Sequence, residues 1–423
     1  MRIAIIGSGI AGMTSAWTLH HAGHDLTVFE AGSHVGGHTN TIPIALGGQT
    51  YAVDTGFIVF NDWTYPNFIK LLGLLGVASQ PTTMSFSVRD PRSGLEYNGT
   101  SLNTLFAQRR NLFRPSFYRM IRDILRFGRE APVLLTGDDD RTTLGQYVAQ
   151  NGYSRQFIEH YLLPMGGAIW SAGSAAMRDF PARYFVQFFK NHGMLSVDER
   201  PQWRVVTGGS WSYAKALVAP FRDRIRLETP VISIRRDSAG VTVVSKGRSE
   251  SFDQVVIAAH GDQALRLLGD PSATEREVLG GFSYTRNEAV LHTDISLMPR
   301  RRRAWAAWNY HLTGDELAPV PVTYDMNALQ GITAPERFLV TLNPPIGIAP
   351  ERVLRRIMYQ HPHYTTAAVA SQKRWAEING VNRTYFCGAY WGYGFHEDGV
   401  VSALKVAERF GVGLTGRIAA LAT

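Results

Sequence analysis

The 423-residue sequence predicts an α/β protein of two domains: a parallel-sheet domain assembled from separated stretches, and an α+β domain inserted between them. Three observations carry that expectation. The chain opens on an apolar run, Ile3 to Ile6, which meets a glycine-studded turn, a helical pattern from Met13 to His21, and a second apolar run, Leu26 to Phe29. Short strand patterns return near residue 205 after a long, aromatic, helical middle. The final stretch, TYFCGAYWGYGFHEDGVVSALKVAERFG, reads as a strand, a glycine-rich loop and a closing helix.

In the opening turn, Gly7, Gly9 and Gly12 form G-x-G-x-x-G directly between strand and helix. The first glycine permits the tight turn, the second lets backbone approach a pyrophosphate, and the third lets the helix pack closely on the strand. Glu30, at the end of the second strand, stands where an acid accepts from an adenosine ribose hydroxyl. Strand, turn, helix, strand and acid together predict a Rossmann-like dinucleotide-binding unit.

Next comes AGSHVGGHTNTIPI, a loop with the doublet Gly36-Gly37, then strand patterns around Thr41 to Ile44 and Tyr51 to Val53. VDTGFIVF brings Asp54 and Gly56 to a strand end, and residues 64 to about 200 read as helical. VVTGGSW leads into a helix from Ser212 to Val218. A three-strand meander is then predicted at Val231 to Ile234, Val241 to Val244 and Gln254 to Ala259. The dinucleotide domain is accordingly assigned to residues 1–63, 205–265 and 376–423, and the substrate domain to 64–204 and 266–375, with a basic helical insertion at about 104–130.

Composition narrows the function classes. Apolar content is 45% and charged content 18%, with no uninterrupted apolar stretch of the roughly twenty residues a membrane span needs. Nor is there a secretory leader pattern, which predicts a cytoplasmic protein. Cys387 is the only cysteine, and the 13 histidines contain no H-E-x-x-H pair, so neither an internal disulfide nor a metal centre is expected. Six of the 43 basic residues are lysine and the rest arginine, and the net charge of +8 predicts an anionic partner.

Taken together, IIGSGIAG, FEAGSHVGGHTNT, VDTGF, VVTGGSW and FCGAYWGYGFHEDGVVSALKVA resemble the flavin-containing amine oxidase and phytoene desaturase superfamily. The resemblance implies noncovalent FAD. It implies that Glu30 holds the ribose, that Gly36, Gly37 and His38 lie along the pyrophosphate and flavin, and that Val231 meets adenine through its backbone. Gly56 and Gly388 would approach the flavin, and the closing helix would offer amides from Glu397 to Val400 to its far end.

Departures from the pattern narrow the chemistry. His34 and His38 stand where arginines usually flank the glycine doublet, and Ala389-Tyr390 follow Gly388 in place of the usual acid. No lysine lies between Lys246 and Lys373, although amine-oxidising members usually carry one there. His396 replaces an aromatic wall of the amine cage, which makes it the candidate acid/base. Trp170, Tyr390, Trp391 and Tyr393 are the candidate substrate-channel residues, with His160 read as structural.

Residues 109–129, RRNLFRPSFYRMIRDILRFGR, carry seven arginines and one acid, Asp123. On a helix starting after Pro115, Phe117, Ile121 and Ile124 share one side while Arg119, Arg122, Arg126 and Arg129 share another. A second cluster, Arg300 to Arg303, lies beside Trp305 and Trp308. Both clusters predict peripheral contact with the anionic inner face of a membrane rather than nucleic acid, for which no recognition motif is present. Some bacterial members of the superfamily are associated with modification of phospholipid acyl chains. The resemblance therefore implies desaturation of an unsaturated or methylated acyl group, with double-bond isomerisation, amine oxidation and a noncatalytic partner role as alternatives.

Overall fold

The computed structural model describes residues 1–417, so the last six positions of the C-terminal segment lie outside the described residues. The chain begins with β1 (Arg2–Ile6), α1 (Ile10–His21) and β2 (Asp25–Phe29). β1 is the middle strand of its sheet: its neighbours are β2 on one side and Gln254–Ile257, far along the chain, on the other. The complete sheet runs Ile225–Arg226, β2, β1, Gln254–Ile257, Thr384–Phe386, with every pair parallel.

Both faces of this sheet are covered, which explains the continuous apolar runs of its central strands. Ile3 and Ile5 pack with α1, the helix Trp211–Val218 and the C-terminal helix His396–Arg409. Ala4 and Ile6 face Ile234, Val241 and Val243 of a three-stranded antiparallel sheet. That sheet is the meander, with one correction: its strands are Val231–Arg236, Val241–Ser245 and Arg248–Phe252. Gln254–Ile257 joins the parallel sheet instead, because Val255, Val256 and Ile257 are all fully buried and need cover on both faces.

A seven-stranded sheet forms the second layer system. Its order is Val353–His363, Ser283–His292, Leu339–Leu342, Val322–Asp325, Trp308–His311, Phe86–Asp90, Leu95–Asn98. Helices drawn from residues 115–191 pack beside it around a core of Phe127, Phe157, Phe185 and Phe189. The two systems are tied by Asp54, whose buried carboxylate accepts from Thr41 Oγ1 (2.5 Å), Ser210 N (2.9 Å), Ser210 Oγ (2.8 Å) and Gln330 Nε2 (3.1 Å). Desolvation outweighs these donors and raises the Asp54 carboxyl to about 6.

Candidate functional site

One cavity of about 1470 Å³ starts at the opening glycine turn and runs between the two layer systems. That exceeds the roughly 300–1,000 Å³ of a typical small-molecule pocket, leaving room for more than one molecule. Gly7, Gly9, Gly36, Gly37, Gly56 and Gly388 line it, as do Glu30, Val231 and His38. Gly36 adopts φ +117°, and a Cβ there would lie 2.5 Å from the Thr39 carbonyl oxygen, so only glycine permits the turn. Gly12 is not on the wall. It lies behind it, where a Cβ would sit 2.0 Å from the Gly7 carbonyl oxygen, so its absence lets α1 close on β1.

Glu30 is fixed before any ligand arrives. Oε2 accepts from Ser8 N (2.9 Å) and Ser8 Oγ (2.5 Å), and Oε1 accepts from Gly32 N (2.7 Å). Among the described residues it is the only carboxylate on the cavity wall. The first turn of α1 opens onto the same space, so amides and a fixed acid converge where a pyrophosphate and a ribose would lie.

Beyond the cradle stands a group of neutral imidazoles. His38 stacks on Tyr359 (4.9 Å between centroids) and lies 5.4 Å from His361 and 6.4 Å from His260. Burial holds His38 well below the usual imidazole range and brings His361 down to about 4. His38 Nε2 and His260 Nδ1 are buried without a hydrogen-bond partner. The grouping was not legible in the sequence: it depends on the antiparallel pairing of Ser283–His292 with Val353–His363, which has no local motif. The same pairing sets Arg286 on the cavity wall, exposed and without a carboxylate partner among the described residues.

His396 sits at the start of the C-terminal helix and lines the cavity. Its Nε2 is engaged with the hydroxyls of Tyr213 (2.9 Å) and Thr39 (3.0 Å), and its ring stacks on Phe57 at 3.4 Å. Desolvation lowers the imidazole to about 3. His396, the candidate acid/base of the sequence, is thus a neutral wall residue here with its distal nitrogen occupied.

The remaining candidates separate into wall and framework. Trp170, Tyr390 and Tyr393 line the cavity, and Trp170 Nε1 donates to the Tyr393 carbonyl (3.1 Å). Trp391 does not, because the tight turn Ala389–Trp391 swings its ring onto Phe282 and Tyr390. Glu397 and Val400 are also absent from the wall. Val400 is fully buried in the core, and the Glu397 carboxylate caps the helix Pro66–Leu74 by accepting from Asn67 N (3.0 Å), Asn67 Nδ2 (2.7 Å) and Phe68 N (2.9 Å). His160 bonds Asp90 (3.2 Å) away from the cavity. Cys387 is buried in the core with its thiol pushed up to about 12.

The same cavity wall carries apolar and aromatic side chains, among them Ile58, Tyr97, Met165, Ile169, Phe188 and Leu342. Trp308 belongs to this wall, and Trp305 donates Nε1 to the Pro299 carbonyl, so neither tryptophan stands free at the surface as the sequence suggested. Among the described residues no cluster of side chains is placed to hold a metal ion.

Known proteins share this architecture. A sequence profile described as flavin containing amine oxidoreductase matches residues 10–291. An L-amino-acid oxidase of Siganus canaliculatus is 24% identical over 328 residues, covering 69% of this chain and 56% of that protein. A putative flavin-containing monoamine oxidase, AofH, of Mycobacterium tuberculosis is 26% identical over 291 residues, covering 64% and 59%. The chain thus spans little more than half the length of these curated relatives. Among solved structures, cyclohexylamine oxidase from Brevibacterium oxydans superposes with a TM-score of 0.70 at 18% identity, covering 97% of this chain and 99% of that one. A CLA-producing fatty acid isomerase from P. acnes gives 0.67 at 16% identity, covering 97% and 98%.

The residues present fit FAD: the start of α1 and the Gly36-Gly37 turn would take the pyrophosphate and the fixed Glu30 carboxylate the ribose, with Val231 on the same wall. With two thirds of its length matching the family profile, the chain belongs to the flavin containing amine oxidoreductase family, an oxidoreductase family whose cofactor is FAD.

Proposed function

We propose that this protein is an FAD-dependent oxidoreductase that desaturates the acyl chain of a lipid. The observation that carries the reading is the cavity wall, which beyond the dinucleotide cradle offers apolar side chains such as Ile58, Met165, Ile169 and Leu342 and, among the described residues, no carboxylate other than Glu30. A long hydrocarbon gains from burial there at roughly 0.8 kcal/mol per CH₂, whereas an ammonium group would be desolvated without an anionic partner.

Bound FAD would supply the acceptor for the hydride removed from one carbon of the chain. The protein's part is to align the chain, keep water from the reacting carbons and accept the proton lost from the neighbouring carbon. Of the imidazoles on the wall, His396 is committed to two hydroxyls, while His38 keeps Nε2 free. His38 Nε2 and His260 Nδ1 are therefore the wall nitrogens left uncommitted for that proton, although burial makes both weak bases.

Anaerobic mixing of the holoenzyme with unsaturated phospholipid tests the reading. Lasting loss of flavin colour, with a product two hydrogens lighter, is expected. Migration of the double bond without lasting bleaching replaces desaturation with isomerisation. Bleaching by amines or amino acids, but by no acyl substrate, overturns the acyl reading.

A further inference from the structure

Two arginine clusters nearly two hundred residues apart meet on one face of the molecule. The turn Arg302–Ala304 packs against the helix Leu102–Leu105 and the strand Leu95–Asn98. Glu96 fastens it there by accepting from Arg300 N (2.8 Å) and Arg301 N (2.9 Å), and Asn98 Nδ2 donates to the Trp305 carbonyl (2.8 Å). Arg109 and Arg110 follow the same short helix, and Arg119 lies on the basic helix Pro115–Glu130. None of the side chains of Arg109, Arg110, Arg119 or Arg300 to Arg303 has a carboxylate partner among the described residues. A solvated arginine normally needs no explanation, but seven without counter-charge on one face form a concentrated positive field.

Apolar side chains project from the same face. Phe113 is 87% exposed and Leu102 77%, with Leu112 and Tyr118 beside them. They are contiguous: Tyr118 Oη donates to the Leu112 carbonyl (3.1 Å), and its ring lies 5.9 Å from that of Phe106, one turn beyond Leu102. Gly99 and Thr100, which immediately precede this helix, are exposed and at the same time line the cavity. An opening of the cavity therefore lies next to the protruding phenylalanine and leucines.

We propose that this face docks on an anionic phospholipid surface, with Phe113 and Leu102 inserted among the lipids, so that acyl chains reach the cavity at Gly99–Thr100 directly from the bilayer. The proposal rests on the acyl-chain reading of the cavity. Charge complementarity selects the occupant: arginines draw the face to lipid phosphate, and bulky apolar tips gain only where hydrocarbon lies beneath the headgroups. Of the arginines on the basic helix, Arg126 is paired with Glu130 (2.8 Å) and lies over the Tyr153 ring, so this side chain is held against its own domain.

Flotation of the FAD-loaded full chain with vesicles of equimolar phosphatidylcholine and phosphatidylglycerol, at low salt, tests the proposal. Binding is expected there, and little to phosphatidylcholine alone. The quadruple variant Arg109→Gln, Arg110→Gln, Arg301→Gln, Arg302→Gln should bind at least about tenfold more weakly. Phe113→Ser with Leu102→Ser should weaken binding about tenfold or more while leaving the flavin spectrum unchanged. The pair Arg276→Gln, Arg355→Gln, remote from this face, should bind like the parent. Parental binding by either designed variant, equal loss in the remote pair, or no binding by the parent overturns the docking face. Turnover of a detergent-dispersed acyl substrate separates the two ideas. Soluble turnover without flotation leaves the acyl reading and removes the docking face; flotation without any acyl oxidation does the reverse.

Discussion

Replacing His396 with phenylalanine tests the electrostatics of the wall more directly than any activity measurement. In the folded protein the imidazole is held near 3 by burial, against about 6.5 in an unfolded chain. Because the folded value is the lower one, the unfolded chain binds the extra proton first as pH falls. His396 therefore costs nothing above about pH 6.5 and lowers stability progressively between there and about pH 3. At pH 5 the cost is about 1.36 × 1.5, or about 2 kcal/mol. At pH 7 His396→Phe forfeits the bonds to Thr39 and Tyr213, at about 0.5–1.5 kcal/mol each. The hydroxyls of those residues keep each other as partners at 2.5 Å, and the new ring keeps the stack on Phe57. The variant should thus be less stable than the parent at pH 7 and recover about 2 kcal/mol relative to it at pH 5. Denaturant unfolding of the FAD-loaded proteins at the two pH values, followed by tryptophan fluorescence, measures the change. An identical pH dependence in parent and variant would refute a neutral, buried His396. So would a pH–rate profile in which the variant alone loses a limb near neutrality.

Other outcomes follow from the same geometry. Glu30→Ala should weaken FAD retention by about 1.5–3 kcal/mol, the range for a hydrogen bond to a charged group, measured by flavin release on dilution; unchanged retention places the ribose elsewhere. Gly36→Ala should give protein that cannot be loaded with FAD, because the Thr39 carbonyl blocks the added carbon; a yellow, parent-like variant contradicts the turn. Glu397→Ala should lower stability by about 0.5–2 kcal/mol through loss of a helix cap, with the flavin spectrum intact; a shifted spectrum would return Glu397 to the cofactor. Trp170→Ala should cost about 3–5 kcal/mol and broaden the range of acyl chains accepted, read by competition between branched and linear substrates; an unchanged preference removes Trp170 from the channel.

The glycine turn and its acid were legible because they need special backbone conformations and fixed spacing, which a sequence displays directly. Residues whose position depends on long-range pairing were not. His361 and Arg286 reach the cavity only after two strands some seventy residues apart align in register. Trp391 stands off the cavity wall because the tight turn Ala389–Trp391 lays its ring on Phe282 and Tyr390, a geometry without a sequence motif. At Glu397 the helix start suggests an anion site for the backbone amide, whereas the side chain's role as the cap of a neighbouring helix depends on long-range packing that no local pattern displays. The arginine clusters were visible in sequence; their meeting on one face depends on Glu96 and Asn98, two ordinary polar residues on a strand.

The order of strands in the parallel sheet also bears on how the protein is made. β1 is synthesised some 250 residues before its partner Gln254–Ile257, and the closing strand Thr384–Phe386 follows later still. Until then the apolar edge of β1 stays unpaired and open to association with other chains. A nascent chain therefore depends on protection through most of its synthesis, and truncation before residue 384 should yield aggregates rather than a smaller working flavoprotein. Completion of this sheet also brings Gly388, which follows its last strand, to the cavity wall.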